Sequence, residues 1–103
     1  MQLKRKGMFY VYIVECVDKT YYTGYTPDLE RRIGLHNSGK GAKYTRARVP
    51  VTLVWKKEYH QFKSAFKTES VIKNLTRMQK EALVRGKRLD KVLKDAGKRE
   101  NRS

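Results

Sequence analysis

Glu69 stands where a carboxylate should not. On a wheel of about 100° per residue, Phe62, Ala65, Phe66 and Ile72 form one apolar stripe of the segment 63–75, and Glu69 falls in its middle. An ionised carboxylate there is unfavourable unless something pairs with it. Two readings follow: a structural ion pair, with Arg32 as the candidate partner, or a hard oxygen ligand offered to Mg²⁺. A second polar set lies in "TPDLERRIGLHN". On the same kind of wheel Leu29 and Ile33 define an apolar face. Arg32 and His36, one turn apart, fall beside that face, while Arg31 points to solvent. Tyr12 and Tyr22 lie upstream in strand-like sequence. Either tyrosine alone reads as core packing with its hydroxyl bonded. Two tyrosines, an arginine, a histidine and an out-of-place glutamate together make a candidate site.

The elements that must position these residues are legible from pattern. "MFYVYIVEC", 8–16, is apolar on both alternating faces, with Phe9, Val11 and Ile13 on one and Met8, Tyr10, Tyr12 and Val14 on the other. A strand covered on both sides is a central strand. "VDK" is a short turn, and "TYYTGY", 20–25, is its hairpin partner. Gly24 inside that strand predicts close approach of another group to the backbone. Thr26-Pro27 reads as N-cap and first helical residue of a helix running to about Asn37. "SGKGAKYTRARVP", 38–50, reads as a glycine-rich basic loop, and 51–60 as a third strand. A helix from about 63 to 75 follows, then one opened by the capping-box pair Thr76 and Gln79, then a short helix with Leu89, Val92 and Leu93. The order ββαβαα predicts an α+β fold, a small three-stranded antiparallel sheet flanked by helices. Residues 1–7 read as a basic tail, 8–94 as one domain and 95–103 as a polar, flexible tail.

The chain has 103 residues, enough for one modest core, and carries 25 Lys plus Arg against 10 Asp plus Glu, a net charge of +15. Such a field gathers polyanions, so DNA or another nucleic acid is the expected partner. The bland alternative is a charge that only keeps the protein soluble. No run approaches the roughly 20 apolar residues of a spanning helix, so no membrane association is expected. Cys16 is the one cysteine, which excludes an internal disulfide and a cysteine zinc site and makes a reduced cytoplasmic setting the default. A monomer is expected.

Tyr12 in "YVYIV", Tyr22-Thr23-Gly24 ten residues on, Arg32, His36 and Glu69, together with "TPDLERRIGLH" and "NSGKGAKYT", resemble the GIY-YIG nuclease superfamily. The likeness runs from about Met8 to Val84 and is strongest to its small stand-alone bacterial proteins. The first motif departs from its name, with Tyr10-Val11-Tyr12 in place of Gly-Ile-Tyr, and Tyr10 is expected to narrow access to the site. The resemblance implies a three-stranded antiparallel sheet flanked by helices and metal-dependent cleavage of a phosphodiester. By position it implies Tyr12, Tyr22, Arg32 and His36 as catalytic residues and Glu69 as the ligand of one Mg²⁺ or Mn²⁺. Arg32 then offers paired donors to transition-state charge. Tyr12 is the candidate base, a role that needs nearby positive charge because a free phenol titrates near 10. Tyr22 and His36 position phosphate or water or relay a proton, and which tyrosine is the base stays open.

Lys40, Lys43, Tyr44, Arg46 and Arg48 are the candidate nucleic-acid contacts, the cations on phosphates and Tyr44 stacked on a base. No recognition module such as a helix-turn-helix accompanies them. A structure-selective activity, or one directed by a protein partner, is therefore expected over sequence-specific cutting. The alternatives are a nucleic-acid-binding domain without turnover and a basic scaffold protein.

Overall fold

The computed structural model describes residues 7–100. Their order is β1 (Phe9–Glu15), β2 (Tyr21–Thr26), α1 (Leu29–Asn37), α2 (Lys43–Arg46), β3 (Thr52–Tyr59), α3 (Phe62–Lys73), α4 (Arg77–Val84) and α5 (Leu89–Glu100). The strands form one antiparallel sheet in the order β2-β1-β3, an α+β fold with the doubly apolar strand at its centre. Tyr10, Tyr12 and Val14 point to the side covered by α1 and α2, where Leu29 and Val51 join them. Val11 and Ile13 point to the side covered by α3, α4 and α5, against Ala65, Ile72, Leu83 and Val92. Burial on both faces is why β1 carries almost no polar residue.

The β1–β2 turn is closed by Asp18, whose carboxylate accepts from the backbone N–H and hydroxyl of Thr20, while Lys19 takes the left-handed conformation at φ 69°. The hairpin register places Tyr12 opposite Gly24. A Cβ on Gly24 would sit 2.6 Å from the Tyr12 hydroxyl oxygen. The close approach foreseen at Gly24 is thus that of the Tyr12 side chain itself.

The structure corrects several expectations. The N-cap of α1 is Asp28, which accepts from the Arg31 N–H. Thr26 instead ends β2 and holds the Asp28 N–H with its hydroxyl, so Pro27 precedes the helix. The segment 38–50 contains a one-turn helix, α2, whose Thr45 hydroxyl ties back to the Ala42 carbonyl. The capping box at Thr76 and Gln79 is present. The last helix extends to Glu100, well beyond the short turn around Leu89–Leu93 and into the stretch read as a flexible tail. Residues 1–6 and 101–103, the rest of the two expected tails, lie outside the described residues.

Helix α3 is rotated from the expected stripe. Its buried line is Ala65, Glu69 and Ile72, whereas Phe62 and Phe66 are 47% and 52% exposed. Helical spacing puts the two phenylalanines at the border of that line, where Tyr25 of β2 packs edge-on against both. Glu69 consequently occupies the centre of the buried face.

Candidate active site

Helix α1 lies over the Tyr12 side of β1. His36, in its last turn, is fully buried and one ring nitrogen, Nε2, lies 2.8 Å from the Tyr12 hydroxyl. The other, Nδ1, lies 2.8 Å from Oγ1 of Thr45 in α2. The direction of these bonds follows from proton counting. Thr45 has one hydroxyl proton and gives it to the Ala42 carbonyl at 3.0 Å. Towards His36 it can therefore only accept, so Nδ1 carries the imidazole hydrogen. Nε2 is then a bare lone pair, and Tyr12 donates its O–H to it. The result is a directed chain from Tyr12 to His36 to Thr45 to a backbone carbonyl.

Burial enforces the neutral state of this chain. It pushes the Tyr12 phenol up to about 12, against the opposing pull of Arg32. It also lowers the His36 pKa, with the Arg32 charge adding to the effect. Desolvation outweighs the Arg32 charge at Tyr12, so Arg32 alone does not supply the positive charge that a role as base requires. Two glycines make room for the arrangement. A Cβ on Gly24 would strike Tyr12, and one on Gly41 would strike the His36 imidazole and lie 2.8 Å from its Cα.

The wheel reading of the arginine pair holds, with Arg31 exposed and Arg32 half-buried. Arg32 Nε is buried and has no hydrogen-bond partner among the described residues. A desolvated guanidinium N–H without a partner is costly in isolation and suits an anionic oxygen from a ligand. Tyr22 presents its ring to His36 edge-on at 5.4 Å. Tyr12, Tyr22, Arg32 and His36 therefore gather on one side of the sheet.

Glu69 comes from the opposite layer, on α3, and is 9% exposed. Its carboxylate still acts on Tyr12, raising the phenol's pKa, as the Arg32 charge lowers it. Its ion-pair partner is Lys73, 3.4 Å from Oε2 and one turn along the helix, with the Lys73 side chain 49% exposed. No ion pair joins Glu69 to Arg32 among the described residues, so the expected structural pair is not formed. Among those residues no group of three His, Cys, Asp or Glu side chains could enclose a metal ion. A single buried carboxylate is a donor type that suits Mg²⁺ or Mn²⁺. Such ions bind through one or two carboxylates and complete their shell with water and substrate phosphate oxygens.

The candidate nucleic-acid contacts divide. Lys40, Lys43 and Arg46 are exposed and make no ion pair among the described residues. Arg48 is committed: it reaches Asp18 at 3.1 Å, donates to the Tyr44 carbonyl and lies 4.1 Å above the Tyr44 ring. Tyr44 also stacks with Tyr22 at 6.1 Å. Its ring is flanked on the protein's own account, so a base stacking there would have to displace a neighbour. Tyr10, expected to narrow the site, is 1% exposed and packs in the core with Met8 and Leu29. Thr45 and Gly41 were not singled out from the sequence. Neither type is unusual in a basic loop, and only the path of the chain places them under His36.

The model of the GIY-YIG catalytic domain matches residues 8–82, a span holding every residue of this site. A UPF0213 protein of Halobacterium salinarum is 54% identical over 76 residues, 74% of this chain and 99% of its own length. A UPF0213 protein of Streptococcus pneumoniae is 50% identical over 72 residues, 70% of this chain and 73% of its own. The solution structure of a UPF0213 protein from Bacillus halodurans matches with a TM-score of 0.50 at 51% identity, over 75% of this chain and 82% of that one. The solution structure of a protein from E. faecalis matches with a TM-score of 0.57 at 40% identity, over 81% of this chain and 88% of that one. The strands and helices that carry Tyr12, His36 and Glu69 all lie inside the matched span, and the chain belongs to the GIY-YIG catalytic-domain family, in its UPF0213 group.

Proposed function

We propose that this protein hydrolyses phosphodiester bonds in DNA with the help of one Mg²⁺ or Mn²⁺, selecting substrates by structure or through a protein partner. The observation that carries the reading is the directed Tyr12–His36–Thr45 chain beside the unpartnered Nε of Arg32. A core that needed only packing would have no use for a buried hydrogen-bonded chain next to a guanidinium N–H left without a partner.

The relay removes the difficulty posed by a phenol with a pKa of about 12. Tyr12 need not exist as a free phenolate. As water attacks phosphorus, its proton passes to the Tyr12 oxygen while the Tyr12 proton passes to His36 Nε2. His36 then carries a charge that burial and Arg32 oppose and that the negative charge of the bound phosphate would offset, its Nδ1–H remaining bonded to Thr45. Arg32 donates to a non-bridging phosphate oxygen, where charge accumulates in the transition state. Glu69 is the residue that would hold the metal, which when bound neutralises charge on the phosphate and the leaving oxygen. Lys40, Lys43 and Arg46 supply contacts to backbone phosphates.

The test is incubation of wild type, Arg32→Ala and Arg31→Ala with branched, flapped and single-stranded DNA in Mg²⁺ or Mn²⁺. Arg32→Ala is expected to abolish cleavage with DNA affinity within a few-fold of wild type. Arg31→Ala is expected to change cleavage hardly at all. Binding by wild type without cleavage of any substrate would favour a binding domain without turnover.

A further inference from the structure

Phe62 and Phe66 are the two phenylalanines of α3 left half in solvent. Their rings stack on each other at 5.8 Å and 22°. Tyr25 of β2 packs edge-on against both, at 5.5 and 6.0 Å, and Phe9 of β1 closes the inner side against Phe62 at 5.8 Å. The set is therefore a rigid platform with one side backed by the sheet. A protein with a net charge of +15 has no solubility reason to expose it, and such a patch marks a binding surface.

Its position identifies the occupant. Phe62 and Phe66 follow one another at helical spacing along the border of the α3 face whose centre Glu69 occupies. At about 1.5 Å rise per residue, Phe66 lies roughly 4.5 Å and Phe62 roughly 10 Å along the axis from Glu69. Lys63 and Lys67, interleaved with the rings, are exposed and make no ion pair among the described residues. Aromatic faces alternating with free cations match a nucleic-acid strand, whose backbone takes the charges and whose bases take the rings. A fully paired duplex keeps its bases stacked inside and cannot use such a platform.

We infer that Tyr25, Phe62 and Phe66 form a stacking platform for an unpaired base of the strand whose phosphate Arg32 would hold. This rests on the nuclease reading of the site and names its substrate class, a DNA with unpaired nucleotides at a junction or flap. The Tyr44 ring, already flanked by Tyr22 and Arg48, leaves this role to the α3 rings.

The experiment uses a flapped duplex with 2-aminopurine at the first unpaired position, bound without metal and read by fluorescence. Wild type is expected to quench the probe. Phe62→Leu/Phe66→Leu, which keeps apolar bulk but removes the rings, is expected to lose the quench and bind the flap about 5- to 100-fold more weakly. Phe66→Tyr is expected to retain both, and thermal melts establish that each variant is folded. In parallel, cleavage of the flapped duplex is measured with Mg²⁺. Quenching without cleavage leaves the platform standing while the nuclease reading falls. Cleavage with no quench in wild type, or equal flap affinity in the leucine variant, overturns the platform and leaves the nuclease reading intact. A dimer in light scattering that the leucine variant dissolves would also overturn it, assigning the patch to a second copy of the chain.

Discussion

The two sides of the sheet hold their polar groups in opposite conditions. On the α1–α2 side the imidazole of His36 has both nitrogens bonded, and the chain of donors ends on the Ala42 carbonyl. Tyr12, His36 and Thr45 are all fully buried there. On the α3 side a buried carboxylate, Glu69, leans on a half-exposed lysine, and two phenylalanines of the same helix are half in solvent. The first side is preorganised: its groups have single positions and matched protons before any ligand arrives. The second is accessible, with charge and aromatic surface that a ligand can complete. Disturbing the first side should therefore damage fold and chemistry together, whereas disturbing the second should damage chemistry or binding and spare the fold.

The largest expected effect is at Gly41. A methyl group there meets both the imidazole and the backbone of His36, and backbone cannot step aside. Overpacking of this kind costs about 3 kcal/mol, so Gly41→Ala should lower Tm by on the order of 15 °C and abolish cleavage. Thr45→Val, which removes only the hydroxyl that fixes the His36 tautomer, should cost about 1–2 kcal/mol and reduce kcat with little change in KM. A Gly41→Ala protein that melts like wild type would remove the claim that this side is rigid.

Glu69→Gln sharpens the contrast. Losing Glu69 frees Lys73 to water, since that side chain is already half-exposed, and such pairs contribute about 1 kcal/mol or less. The melting temperature without metal should be nearly unchanged. Stabilisation by Mn²⁺ and metal-dependent cleavage should both disappear. A large loss of stability with no metal effect in wild type would make Glu69 a structural ion and break the distinction between the two sides.

A smaller effect appears in pH dependence. The folded pKa of His36 lies below its ordinary 6.5, chiefly because burial disfavours the charged ring. The unfolded chain thus takes up a proton on this residue before the folded one does. The associated stability is present above about pH 6.5 and is lost as pH falls through the lowered folded value. Melts of wild type and His36→Gln between pH 7 and 5 should converge as pH falls. The smallest effect is at the surface. Lys43→Ala and Arg46→Ala should each weaken DNA binding a few-fold. Each should also reduce the slope of log K against log salt by about 0.9, with Tm unchanged.

Much of this was readable from sequence, and for local reasons. The doubly apolar pattern of "MFYVYIV" is a property of alternate residues, and it sufficed to put β1 at the centre. The capping box at Thr76 and Gln79, the difference between Arg31 and Arg32, and the misplacement of Glu69 in an apolar helix face are each decided within one or two helical turns. What sequence could not decide was which groups meet across the chain. Tyr12 and His36 are 24 residues apart, and Thr45 reaches His36 only because α2 turns the loop back beneath α1. The choice of Lys73 over Arg32 as the partner of Glu69 depends on which layer each helix joins. The exposure of Phe62 and Phe66 depends on how far α3 is rolled against β2. Local periodicity fixes the angle between neighbouring side chains on one element, but it carries no information about the rotation of that element against the sheet. That rotation is set by the summed packing of the whole core, and it decided that Tyr12 meets His36 and that Phe62 and Phe66 stay half-exposed.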